Sequence, residues 1–207
     1  LECISGTGIR FGDAGGQASL AAGKTISIFN NFSAGQLLFR NFIQTGNQAQ
    51  QIQLSNTATF YNYDADWGGN VQFEGPRLYT RGTQYRGTAR LIKSSISNDY
   101  SNGNNVFNES CELINTGNGL FAMGNNNPDI FEKEAVFRNQ GQYRMYIAHN
   151  SSGNQFKDKV YFYNSASDAS NNDCQLNCGT NSTAVFTDSV FLINDPGDNP
   201  SITIKPD

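Results

Sequence analysis

Four phenylalanines, Phe107, Phe131, Phe156 and Phe186, each open the same short pattern. Four residues further on stand Cys111, Ala135, Val160 and Val190, six further on Leu113, Phe137, Phe162 and Leu192, and eight further on Asn115, Asn139, Asn164 and Asn194. The residues between each Phe and its first apolar follower are mostly polar or charged: NES, EKE, KDK and TDS. Apolar side chains at alternate positions belong to a strand with one face buried. A pattern returning after about 24 to 30 residues marks a tandem unit that must stack on its copies to bury that face. The spacing leaves no margin for a strand and a helix, and suits one coil of a parallel β-helix.

The asparagine closes each strand, because Asn tolerates left-handed backbone and bonds its local main chain. Gly-containing turns and a second short strand follow, TGNGLFAMG after Asn115 and QGQYRMYIAH after Asn139. Upstream the pattern weakens. Tyr85 leads to Ala89 and Leu91, and Trp67 to Val71 and Phe73, without the Asn; Phe32 leads to Leu37, Phe39 and Asn41, each one residue late, as a bulge would give. The expected fold is all-β, a right-handed parallel β-helix of about eight coils and on the order of 40 Å long, with residues 1–207 as one solenoid domain. Stacked coils should place Phe on Phe and Asn on Asn. A β-sandwich, the rival architecture, would not need equivalent residues at equal offsets in consecutive units.

With 15% charged residues and 15 Phe, the chain has the rings to fill a core and lacks the charge of a disordered segment. A net charge of −4 and a pI near 4.9 argue against nucleic acid or anionic lipid as a partner, since both need a basic face. No apolar run approaches the 18 or so residues needed to cross a bilayer as a helix, so no membrane insertion is expected. Leu1 begins in the middle of a pattern, and the chain reads as a processed product or a piece of something longer. Of the four cysteines, Cys3, Cys111, Cys174 and Cys178, the last two lie in an Asn-rich insertion where a small disulfide loop is expected. A zinc knuckle would need further Cys or His nearby, and His149 is the chain's single histidine.

The ordered string GTGIRFG, LAAGKTISI, FSAGQLLFRNFIQTGNQAQQIQLSNTATF, NPDIFEKEAVFRNQG and HNSSGNQFKDKVYFYNS resembles tandem repeats of very large Bacteroidota surface proteins. Those proteins are exported by the type IX system and include adhesins, some linked to gliding motility. The resemblance implies an extracellular, cell-surface stalk or adhesin segment with no catalytic residues to carry over. Its partners would be neighbouring repeats or subunits of the same assembly and surface glycans. The cysteines, and the charge carried between positions 128 and 164, depart from the Thr- and Ser-rich pattern of those repeats.

Parallel β-helices also house pectinases and polysaccharide lyases, so carboxylate pairs matter. The pairs here are Asp64 with Asp66, Glu132 with Glu134, and Asp195 with Asp198. Glu132, Lys133, Glu134, Lys157, Asp158 and Lys159 fall in turns, where solvated charges are expected. His149 lacks a companion and reads as a surface residue of an Asn-rich turn. Arg90 to Lys93, RLIK, has the look of a basic strand of pectinases but stands without their acidic motifs. The segment YNYDADW offers a carbohydrate contact through Tyr61, Tyr63, Asp64 and Asp66, with Trp67 in the core. Calcium could use Asp64, Asp66, Asp195 and Asp198, yet no EF-hand or calcium nonapeptide is present, and no metal or other cofactor is expected. Asp188, Ser189 and Val190 match a short O-glycosylation pattern with Ser189 as acceptor. The expected function is a non-catalytic structural or adhesive segment, the alternative being a carbohydrate-binding or polysaccharide-degrading β-helix module.

Overall fold

A computed structural model describes residues 2–4, 8–28, 32–165, 175–179, 181–194 and 201–204. Every regular element among them is a β-strand, and the strands form sheets of five, eight, seven and five members. Each pass of the chain lays one strand on each of three faces. In a middle coil Asp99–Tyr100 lies on the first face, Val106–Phe107 on the second and Cys111–Asn115 on the third. The next pass sets Phe121–Ala122, Ile130–Phe131 and Ala135–Asn139 against them, parallel and in register. The fold is therefore the all-β parallel solenoid that the repeat implies. The second face, running from Ala18–Leu20 to Ala184–Phe186, counts eight coils among the described residues.

The interior is built from ladders of like residues. Tyr85, Phe107, Phe131, Phe156 and Phe186 stack with ring centroids 4.7, 4.9, 4.8 and 4.7 Å apart and planes within 13° of parallel. That separation matches the inter-strand spacing, so each ring covers the face of the one below it. Phe137 and Phe162 form a second ladder at 5.2 Å, and Phe137 meets Phe131 edge to face. Asn115, Asn139, Asn164 and Asn194 hold one register position, the first three with no exposure. Asn115 Nδ2 donates to Asn139 Oδ1, and Asn139 Nδ2 to Asn164 Oδ1, both at 3.2 Å.

These asparagines do end their strands, but not through left-handed backbone, which occurs instead at Asn41, Asn56, Asn104 and Asn181. Their amides reach the turn beyond: Asn115 Nδ2 to Gly119 O at 3.1 Å and Asn139 Nδ2 to Tyr143 O at 2.8 Å. A buried amide bonded both to its neighbour and to its own turn fixes where every coil bends. Two residues later the coils approach so closely that a Cβ at Gly141 would run into the Gly117 carbonyl.

One sequence expectation is corrected at the N-terminal end. Leu37 and Phe39 lie on the first face, paired with Phe60 and Asn62, and not on the third. The third-face strand of their coil is Gln50–Gln53, whose Ile52 pairs with Phe73. Alternation alone does not say which face a strand joins. The segment Gly8–Phe11 takes its place on the first face, parallel to Gln36–Arg40. Its outer edge, however, is covered by Glu2–Ile4, which folds back antiparallel with Glu2 opposite Arg10.

The first face is also broken once. Between Arg77–Arg81 and the next pass a single backbone bridge, Arg81 with Gly103, is formed outside the named strands. Leu78 N donates instead to Asp99 Oδ2 at 2.9 Å, and Thr80 N to Ser101 Oγ at 3.1 Å. Side-chain oxygens thus satisfy donors that carbonyls satisfy elsewhere.

Candidate functional site

Tyr61 and Tyr63 alternate with inward Phe60 and Asn62, so both project outward from the first face. They are half-buried, and Tyr79 of the next coil stands in register with Tyr61. Tyr61 and Tyr79 stack at 5.1 Å with planes 16° apart, while the Arg81 guanidinium lies over the Tyr63 ring at 4.7 Å. The ring faces that would receive a sugar are therefore engaged with the strip's own side chains. Burial, first, pushes the hydroxyls of Tyr63 and Tyr79 up to about 12, so they stay protonated donors at neutral pH. Asp64 is exposed and pairs with Arg81 at 3.1 Å; Asp66 is half-buried and pairs with Arg86 at 2.6 Å. The four sequence candidates do share one corner, wired to an arginine on each side. Trp67 lies in the core, fully buried, its indole N–H on Asn62 Oδ1 at 3.0 Å.

The remaining candidates scatter. Glu132 pairs with Lys157 across coils at 2.8 Å, in the turns after the ladder rings. Ser189 is exposed in the turn between Ala184–Phe186 and Val190–Asn194. His149 is not a surface residue: it is 8% exposed, beside Tyr146 at 4.8 Å, and burial lowers its pKa, which favours the neutral ring. Cys178 is a buried free thiol, whereas Cys174, its candidate partner, lies outside the described residues, as do Asp195 and Asp198. Arg90 points outward and bonds Glu112 at 2.7 Å; Lys93 of the same strand points inward.

Lys93, read in the sequence only as the end of a basic strand, is the residue whose surroundings sequence reasoning missed. It occupies the register position of the Asn ladder, directly before Asn115, and has no exposure. Its Nζ donates to Ser95 O at 2.7 Å and to Gly119 O at 3.4 Å. Burial, first, lowers its pKa to about 8, with Arg77 acting in the same direction and Asp99 against it. Asp99, also without exposure, has its pKa raised by burial above all. Arg77 Nε faces Asp99 Oδ1 at 3.5 Å without a hydrogen bond, and its own side chain is 39% exposed. Solvent screens that cation, and burial outweighs it together with the Leu78 N–H bond and the Lys93 charge, which act the other way. The signal in the sequence was the missing Asn eight residues after Tyr85, with a lysine in its place.

Among the described residues, none covers the third-face strand at the C-terminal end of the stack. Leu192 continues the ladder of Phe137 and Phe162, which are fully buried, yet it is 53% exposed because no described residue lies over it. Val185, Phe191 and Ile193 are exposed beside it. No protein-family model, no curated protein and no solved structure matches this chain.

Proposed function

We propose that this chain is a non-catalytic structural or adhesive segment of a secreted cell-surface protein, one length of a stalk or adhesin of the kind its motifs resemble. Type IX export in a Bacteroidota and a part in surface attachment or gliding belong to the same reading. The observation that carries it is a set of ladders running coil to coil and ending in the apolar rung of Leu192, which no described residue covers. A solenoid gains stability mainly from contacts between neighbouring coils, and an edge strand without charge or proline invites another strand. The edge strands Ala184–Phe186 and Val190–Asn194 contain neither. Neighbouring repeats or subunits of the same assembly cover this end, and surface glycans are the ligands of the assembled surface. Sedimentation of the isolated chain should show concentration-dependent association that Leu192→Lys abolishes. A monomer at high concentration would overturn the stacking role, and polysaccharide turnover lost in Asp64→Asn or Asp66→Asn would replace it with the enzymatic reading.

A further inference from the structure

Lys93 and Asn115 are register partners on adjacent coils, both shut off from solvent. Lys93 Nζ and Asn115 Nδ2 converge on one acceptor, the Gly119 carbonyl, at 3.4 and 3.1 Å. Asn115 Oδ1 and Asp99 Oδ1 are buried without a hydrogen-bond partner among the described residues. A buried amide oxygen without a hydrogen bond is costly, and Asp99 Oδ1 has the Arg77 guanidinium beside it at 3.5 Å without a hydrogen bond. Burial lowers the pKa of Lys93 to about 8 and raises that of Asp99, shifting each toward the form the chemistry needs, an amine nucleophile and a proton donor. Elsewhere in the ladder, at Asn139 and Asn164, the preceding rung holds another Asn, and no amine is present.

We propose that Lys93 and Asn115 become joined by an intramolecular amide cross-link, formed within the folded chain and independent of the surface role argued above. The Nζ lone pair attacks Asn115 Cγ, forming the Nζ–Cγ bond. Protonated Asp99 supports the negative charge that develops on Oδ1. The Cγ–Nδ2 bond then breaks; the proton released by Nζ passes by way of Asp99 to the departing nitrogen, which leaves as ammonia, and Asp99 ends as it began. Amine plus carboxamide gives secondary amide plus ammonia, so no oxidant or energy source is required. The fold supplies the catalysis that matters most, by holding the two groups together at high effective concentration. The link ties the coil of Arg77–Arg81 to the next coil, where the first-face sheet is interrupted.

The experiment is the intact mass of the purified, reduced chain under denaturing conditions, followed by proteolysis. The expected mass is that of the sequence less one ammonia, with a branched peptide joining Lys93 to Asn115. Lys93→Arg should restore the full mass. Asn115→Asp should form the same amide with loss of water, so its mass should coincide with that of the wild type, and Asp99→Asn should leave the chain unlinked while circular dichroism reports a folded β protein. Full sequence mass in folded wild type overturns the proposal. So does an ammonia loss that persists in Lys93→Arg, which would place the reaction at another asparagine.

Discussion

The two ends of this solenoid fill the same core in different ways. From Tyr85 to Phe186 the coils stack like on like, as when Phe131 covers Phe156 at 4.8 Å with planes 3° apart. From Phe39 to Phe73, beyond one parallel pair of Phe11 on Phe39 at 4.8 Å and 3°, the rings interlock at steep angles: Phe39 meets Phe42 at 72° and Trp67 at 66°, and Trp67 meets Phe73 at 64°. Buried polar groups divide similarly. The C-terminal coils carry the Asn ladder. The earlier coils use unlike partners, with Tyr85 Oη joined to Asn62 at 2.8 Å and Thr80 at 2.9 Å, and Thr80 joined to Asn105 Oδ1 at 2.9 Å. Both arrangements are dense and hydrogen-bonded, but only the first requires the same residue at the same offset. Regular packing therefore writes itself into the sequence, and jigsaw packing does not.

Removing one ladder ring tests the first arrangement most severely. Phe156→Ala strips contacts from Phe131 below and Phe186 above, and should lower unfolding free energy in urea by about 3–5 kcal/mol. A loss below about 1 kcal/mol would mean that the stack relaxes into the gap and that like-on-like packing carries little of the stability.

A second ladder, at the start of the second-face strands, contains one acid. Thr83 N donates to Asn105 Oδ1, Asn105 N to Asp129 Oδ1, and Asp129 N to Asn154 Oδ1. Burial, outweighing bonds from Asn105 and Gly124, raises the Asp129 carboxyl from its ordinary 3.8 to about 7. Between those values the folded chain holds a proton that the unfolded chain has lost. Stability from this group is therefore full below about pH 3.8 and falls as pH rises toward 7, by about 2–4 kcal/mol. Urea titrations across pH should show that decline in the wild type and its absence in Asp129→Asn; identical profiles would refute it.

Smaller effects separate the two polar arrangements further. Asn139→Ala removes one acceptor of Asn115 Nδ2 and one donor to Asn164 Oδ1, for a loss of about 1–3 kcal/mol, and a double-mutant cycle with Asn115→Ala should show coupling. On the outer surface Glu112 bridges Arg90 and Arg138 at 2.7 and 2.6 Å. Glu112→Gln should cost about 0–1 kcal/mol and less in high salt, because water screens these pairs. A larger loss would make the outer face a contributor on the scale of the ladders.

Residue type and spacing alone were enough for the parallel coil, its two-residue alternation and the Phe and Asn ladders, because stacking repeats one environment at every rung and so demands one residue there. The corner formed by Tyr61, Tyr63, Asp64 and Asp66 was legible as a cluster, since those residues are near neighbours in the chain. What covers them was not, because Tyr79, Arg81 and Arg86 arrive from the next coil. The face joined by Leu37 and Phe39, the antiparallel strand over Gly8–Phe11 and the break after Arg81 were decided by tertiary structure, where several strands with the same alternation compete for three faces. Tertiary structure likewise decided that Lys93 stands inside the stack against Asn115 and near Asp99, since only coil-on-coil packing brings together groups that the sequence shows merely as a lysine where an asparagine was due.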